Sequence, residues 1–416
     1  RKTRNQAKKF WVPVLAGMTI LAGCATPPRS APVVTGPVEV QILAINDFHG
    51  NLEPPNLTVP SGDGAVPAGG AAYLAGALKQ RRIANSVTVA AGGLIRATPI
   101  SSALFLDEPT IKALSMAGLK LASVGNHEFD KGSAELLRMQ KGGCEKHTNR
   151  EPCAVEPFAG AGFQYLAANV VGSDGRTLLP GTALKDIGGV KVGFIGMTLK
   201  ETATLVSPSG VAGLRFVDEA ATANALIPEL KAAGADAIVL LIHQGASTTG
   251  RYDDPSCPGL TGDIMPILAR LDPAIQLVVS GHTHSAYICR VPGPGGTSRL
   301  LTSAGKYGSL VTDIRLTFDK PGGTLTGAKG EFVIVQGEPI RTARLTAPLV
   351  PSHQIFPPDP ELAALVPRNR EAASGAANRP VARLGGPAMK GNSGTESQAA
   401  GLIADGQLFV AHDPAR

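Results

Sequence analysis

The chain has 416 residues, 43% of them hydrophobic and 17% charged, enough for one large or two ordinary globular domains. Its formal charge of +6 is local: Arg1, Lys2, Arg4, Lys8 and Lys9 lie in residues 1–24, which carry no acid, and removing that segment leaves +1. No basic stripe with interleaved aromatics occurs elsewhere, which argues against nucleic-acid binding.

Residues 1–24 combine a basic start, a short apolar run and a small-residue exit, the pattern of a secretory signal. The exit Leu21-Ala22-Gly23-Cys24 resembles the lipobox of bacterial lipoproteins, which implies lipidation of Cys24 and anchoring to a membrane. Ala25, being non-acidic, implies outer-membrane retention facing the periplasm. An ordinary cleaved signal with an incidental cysteine fits the same residues. Residues 25–38 are Pro-rich and small, a tether. Four cysteines remain: Cys144, Cys153, Cys257 and Cys289. An even count in an exported chain suggests disulfides, with three pairings open. Cys144–Cys153 with Cys257–Cys289 is the shorter-range choice; a zinc cluster is the rival, though no CxxC spacing exists.

Apolar runs of strand type occupy 39–47, 86–92, 119–126, 163–170, 190–198, 235–245 and 275–284. Helix signals fall between them: 107–118 with Asp107 as N-cap, 216–234 ending at a glycine, and 262–271. Three further strand-like runs, 299–305, 311–319 and 331–340, follow with turn residues between them. This alternation predicts an α/β fold with a mainly parallel sheet, the later strands forming a second sheet.

In open α/β sheets, ligands lie beyond the carboxyl ends of strands. Those ends read Asp47-Phe48-His49, Gly92-Gly93, Asn126-His127-Glu128-Phe129-Asp130, His243-Gln244-Gly245 and His282-Thr283-His284. Five of the chain's eight histidines lie in these segments, a clustering that packing alone does not account for. Imidazole nitrogen mixed with Asp and Asn oxygen suits Mn, Zn, Co or Fe rather than calcium. The set is too large for one tetrahedral zinc, so two divalent ions are expected, the apparatus of phosphoester hydrolysis. Asp47 and His49 are two apart, so a turn is needed to point both at one ion; His282 and His284 are also two apart and alternate in the same way.

The stretches AINDFHGNLE, GNHEFD, HQG and GHTH, in this order, resemble the bacterial 5′-nucleotidase family, which includes UDP-sugar hydrolases and 2′,3′-cyclic phosphodiesterases. The resemblance is strong over about 39–340 and weak beyond. It implies a metallophosphoesterase domain, a four-layer α/β/β/α sandwich, over 39–340. It further implies that Asp47, His49 and His284 hold one ion (Mn, Zn or Co), that Asn126, His243 and His282 hold the other, and that His127 and Asp130 form a catalytic dyad. The implied substrate is a nucleotide or related phosphoester. In that family the second strand ends in Gly-Asp, and the Asp bridges both ions. Here Gly93 stands at that position, and Arg96 stands where a small residue is usual. Weak ion occupancy and reduced turnover are expected, with a water-bridged but slower enzyme as the alternative.

The stretch 358–374 reads as a helix after a Pro-rich link. GTESQAAGLIADGQL (394–408) is similar to the start of the family's C-terminal domain. Residues 341–416 are therefore expected to hold a linker and an incomplete C-terminal domain. Two functions follow from these features: a lipid-anchored nucleotide phosphoesterase, or a catalytically degenerate metal- or ligand-binding lipoprotein or fragment of a decaying gene.

Overall fold

A computed structural model describes residues 36–381, 383–389 and 397–411. The signal segment, Cys24 and most of the tether lie outside the described residues.

The chain begins with β1 (Val38–Ile45), α1 (Ala71–Arg81), β2 (Ser86–Ala91), α2 (Glu108–Met116), β3 (Leu121–Ser123), α3 (Ser133–Lys141) and β4 (Gln164–Leu166). It continues with β5 (Thr182–Ile187), β6 (Val190–Thr198), α4 (Glu219–Ala232), β7 (Ala237–His243), α5 (Ile264–Arg270), β8 (Ile275–Ser280), β9 (Ala286–Pro292) and β10 (Ser298–Ala304). Last come β11 (Leu310–Phe318), β12 (Leu325–Ile334), α6 (Pro360–Ala377) and α7 (Gln398–Ala411).

These strands make two six-stranded sheets, ordered β12-β11-β1-β2-β3-β4 and β9-β10-β8-β7-β6-β5. In the first, β1 to β4 run parallel out to one edge, with β11 and β12 antiparallel on the other side; in the second, β6, β7, β8 and β10 run parallel at the centre and the edge strands β5 and β9 are antiparallel. The expected division of strands is corrected here. The second sheet is built from the middle of the chain, while β11 returns to pair with β1 and β12 pairs with β11 at the edge of the first sheet. The reason is burial: β11 alternates Ile314, Leu316 and Phe318 onto the same inner face as Val40, Ile42 and Ala44 of β1, so it is a core strand of the first sheet.

Strand alternation sorts the core into layers. In β1, Val40 and Ile42 point between the sheets, while Leu43 and Ile45 point to the outer helices. In β7, Val239 and Leu241 point inward, while Leu240 and Ile242 meet α4 and α5. The result is helices, sheet, sheet, helices. Gly196 of β6 marks a close approach, since a methyl group there would overlap Leu166 of β4. The core extends past position 340: Phe356 and, in α6, Leu362, Leu365 and Val366 pack with α1 and α2 residues. On α7, Leu402, Ile403, Leu408 and Phe409 are exposed.

One capping expectation fails. Asp107 precedes α2 in a left-handed conformation, φ 64°, and its side chain makes no cap bond. Its carboxylate is buried and accepts instead from Arg96 and Ser102. Asp218 does cap α4, accepting from Ala221 N at 2.9 Å.

Candidate metal centre

The parallel registers Ile45↔Ala90, Ala91↔Ser123 and Ile242↔Ser280 bring the carboxyl ends of β1, β2, β3, β7 and β8 to one edge of the sandwich. Just beyond those ends, the chain turns sharply. Asp47, His49, His282 and His284 all adopt positive φ, 47°, 44°, 73° and 58°. Side-chain-bearing residues rarely do so, and such strain concentrates at functional sites. These are the turns that the two-apart spacing requires.

Asp47 is the hub. Its Oδ1 lies 3.5 Å from His284 Nε2, 3.6 Å from His49 Nε2 and 3.9 Å from His243 Nε2. His49 Nε2 and His284 Nε2 are 3.2 Å apart. Oδ2 is fully engaged, accepting from Asn46 Nδ2 at 2.8 Å and from His282 N at 2.9 Å. Oδ1, by contrast, is buried without a hydrogen-bond partner among the described residues. An unpartnered carboxylate oxygen facing three imidazole nitrogens is unfavourable unless a cation sits there. The donor set fits a divalent ion of the Mn, Zn or Co type, held by Asp47, His49 and His284, whose ligand atoms all lie within 4.8 Å of one another.

Nearby, His243 Nε2 is 3.2 Å from Asn126 Oδ1, and the His243 and His282 rings are 5.3 Å apart. His127 Nδ1 donates to Asp130 Oδ2 at 2.8 Å, and the His127 ring stands edge-on to His49 at 5.3 Å. All eight residues anticipated from the strand ends are thus gathered at this edge. The cysteines form two disulfides, Cys144–Cys153 and Cys257–Cys289.

Electrostatics suit the same purpose. Burial alone would raise the Asp47 carboxyl, but the imidazoles of His243, His284 and His49 reverse that and hold it far below the usual range. Burial pushes His243 down to about 4, and it also lowers His282, so both offer neutral nitrogens at neutral pH.

The loop after β2 places no ligating side chain at this edge; its backbone does the organising. Gly92 O and Gly93 O accept from Asp47 N and His49 N, each at 3.0 Å. Ala91 O accepts from His243 Nδ1 at 2.7 Å, and Arg96 O from His49 Nδ1 at 2.9 Å. Since a carbonyl only accepts, both rings carry a proton on Nδ1 and turn Nε2 toward Asp47. At Gly93, φ is 66° and a Cβ would stand 2.6 Å from Asp47 Oδ1 and 2.9 Å from His243 Cε1.

Residues 40–286 match the calcineurin-like phosphoesterase family. The chain belongs to that family. This phosphoesterase is 30% identical to the cell wall protein Lmo0130 of Listeria monocytogenes, over 97% of this chain and 52% of the relative. It is 29% identical to a 5′-nucleotidase of Vibrio cholerae, over 63% of this chain and 43% of the relative. It therefore spans about half the length of these relatives. A 5′-nucleotidase precursor from Thermus thermophilus shares the fold with TM-score 0.66 and 23% identity, over 91% of this chain and 68% of that one. Among the described residues, no helix is long and apolar enough to cross a membrane.

Three contributors escaped the sequence reading. Glu128, wholly buried, accepts from Gly93 N, Leu94 N and Gly125 N at 3.2, 2.7 and 2.8 Å. Its place inside GNHEFD was the available signal. Asn46 anchors Asp47 and accepts from Ala304 N at 2.6 Å. Tyr307 donates its backbone N–H to Asp47 O at 2.8 Å, with its ring beside His49 and His284. Nothing local in the sequence singled out those last two.

Proposed function

We propose that this phosphoesterase hydrolyses phosphate esters of nucleotides at a pair of divalent ions, and that Gly93 lowers both ion occupancy and turnover. The unpartnered Oδ1 of Asp47 amid three imidazole nitrogens carries the reading. Asp47, His49 and His284 hold one ion; Asn126, His243 and His282 hold the other. When bound, such ions polarise a phosphoryl oxygen and lower the pKa of a water that attacks phosphorus. The protein does the rest. Asp47 supplies the fixed negative charge. Ala91 O and Arg96 O keep the His243 and His49 nitrogens aimed. Asp130 holds His127 by Nδ1–H, leaving Nε2 to meet charge on the phosphoryl oxygens or the leaving group.

The nucleotide preference is supported by resemblance to 5′-nucleotidases, one of them a relative at 29% identity. Position 93 carries no carboxylate to separate the two dications, and this favours a second reading, a degenerate metal- or ligand-binding lipoprotein. In either case the lipid anchor at Cys24, export to the periplasm and outer-membrane retention are part of the proposal, as are a phosphoesterase domain over 39–340 and an incomplete C-terminal domain over 341–416. The test is phosphate release from AMP, UDP-glucose and bis(p-nitrophenyl) phosphate with added Mn, Zn or Co, alongside metal analysis. Release with metal supports the enzyme; bound metal without release supports the second reading; neither defeats both.

A further inference from the structure

The carbonyl that orients His49 belongs to Arg96, a residue outside the ligand set and the dyad. Arg96 sits at φ 69°, and Ala97 after it at 48°. A side-chain-bearing residue does not hold that conformation unaided, so something must fix it. The fixing group is Asp107. Arg96 is 5% exposed, and Asp107 Oδ2 accepts from both its backbone N at 3.2 Å and its Nη1 at 3.1 Å. Nη1 also donates to Leu106 O at 3.0 Å. One carboxylate thus grips residue 96 at two points, and the carbonyl between them receives His49 Nδ1–H.

Asp107 is itself held. Its Oδ1 accepts from Ser102 Oγ at 2.8 Å, and φ 64° turns its carboxylate back toward the loop instead of onto α2. Behind it, Glu135 Oε1 lies 3.7 Å from Arg96 Nη2 and 2.8 Å from Arg138 Nη2. Arg138 Nη1 donates to Glu108 Oε1 at 2.7 Å. Glu128 holds Gly93 and Leu94 from the other side. The loop is therefore clamped at both ends by buried charge, although it contributes no side-chain ligand.

We infer that Arg96 is a positioning residue: its buried ion pair with Asp107 fixes the carbonyl that keeps His49 protonated on Nδ1, with Nε2 facing Asp47. The inference rests on the metal-dependent reading of the site. Nε and Nη2 of Arg96 make no hydrogen bond among the described residues, so the clamp depends on one cationic donor to Asp107 rather than the whole fork. A lysine at this position keeps that donor.

The test compares Arg96→Met and Arg96→Lys with the unaltered chain, using two readouts. The first is the His49 tautomer, read by long-range ¹⁵N–¹H correlation in metal-free protein at alkaline pH. The second is Mn affinity by titration calorimetry. The unaltered chain shows His49 as the Nδ1–H form. In R96M that preference is lost and Mn binds about 10–100-fold more weakly; R96K restores both. A folded R96M with an unchanged tautomer and affinity overturns the inference. Should R96M not fold, Asp107→Asn breaks the same ion pair without touching residue 96 and gives the same two readouts. An unaltered chain that neither binds metal nor releases phosphate, with the tautomer shift in R96M intact, defeats the hydrolase reading and leaves Arg96 as positioner of His49.

Discussion

Asp47 Oδ1 and His284 Nε2 lie 3.5 Å apart, although one residue follows a strand of the first sheet and the other a strand of the second. The centre is therefore made only when the two sheets pack, and its charge comes from Asp47. Replacing Asp47 with Asn keeps the shape and removes the charge. Mn affinity is expected to fall by at least about 10–100-fold, the range seen for lesser changes around metal ligands. Thermal melts check this: Mn raises the Tm of the unaltered chain and leaves that of D47N in place.

His127 and Asp130 make a different prediction. Both are about one-third exposed, and they face each other at 2.8 Å at the rim of the centre. His127→Asn should lower kcat by about 10²–10⁴-fold while metal content stays unchanged. Asp130→Asn, which frees the ring without removing it, should cost less. Paired measurement of kcat and bound metal separates these effects from loss of an ion ligand.

The layered fold and the clustering at strand ends were legible in the sequence because both follow local rules. Val40, Ile42 and Ala44 alternate with Leu43 and Ile45, and side-chain period fixes which face each meets. What escaped was set by distant partners. The pairing of β11 with β1 joins segments far apart in sequence, and no local signal selects one sheet over the other. Asp107 reads as a helix cap because Asp often caps, but the second helical residue is Pro109, which has no N–H to donate, and the carboxylate is held by a buried arginine instead. The roles of Ala91 O and Arg96 O are invisible in sequence because carbonyls belong to every residue.

Gly93→Asp tests the proposed defect directly. The expected outcome is a joint rise in bound metal and turnover. It comes with a constraint: a Cβ at 93 meets Asp47 Oδ1 at 2.6 Å, so Asp47 and His243 must separate to admit it. At φ 66° the new side chain also carries strain of about 1–3 kcal/mol. G93D should therefore melt lower than the unaltered chain without metal and recover on adding Mn. Unchanged metal and rate would count against the account.

The Cys257–Cys289 bridge closes a loop with sequence separation 32 and ties the segment after β7 to β9 of the second sheet. Loop-closure entropy for that length gives about 3–4 kcal/mol of stabilisation. Cys257→Ser with Cys289→Ser should lower stability by up to that amount in urea. The Cys144–Cys153 bridge spans only 9 residues and should matter less by the same measure.

Asp313 supplies a pH test far from the centre. It is buried on β11 and accepts from Gln41 Nε2 at 2.9 Å, Arg315 Nε at 2.7 Å and Arg81 Nη2 at 3.1 Å. Burial favours its neutral form, but the bonds from Arg315 and Gln41 outweigh that and lower its pKa. A carboxyl whose pKa is lower folded than unfolded stabilises the protein above its unfolded value, and the contribution is lost as pH falls through the folded one. The unaltered chain should thus lose stability on acidification below the ordinary carboxylate range. Asp313→Asn should be less stable near neutrality, by up to about 3–5 kcal/mol if the arginines stay unpaired. Arg315 keeps Glu39 at 2.7 Å and Arg81 keeps Glu331, so the loss should fall at or below the lower end. Urea melts across a pH series decide it: the gap between the two proteins narrows as pH drops, because protonation removes from the unaltered chain the charge that the variant already lacks.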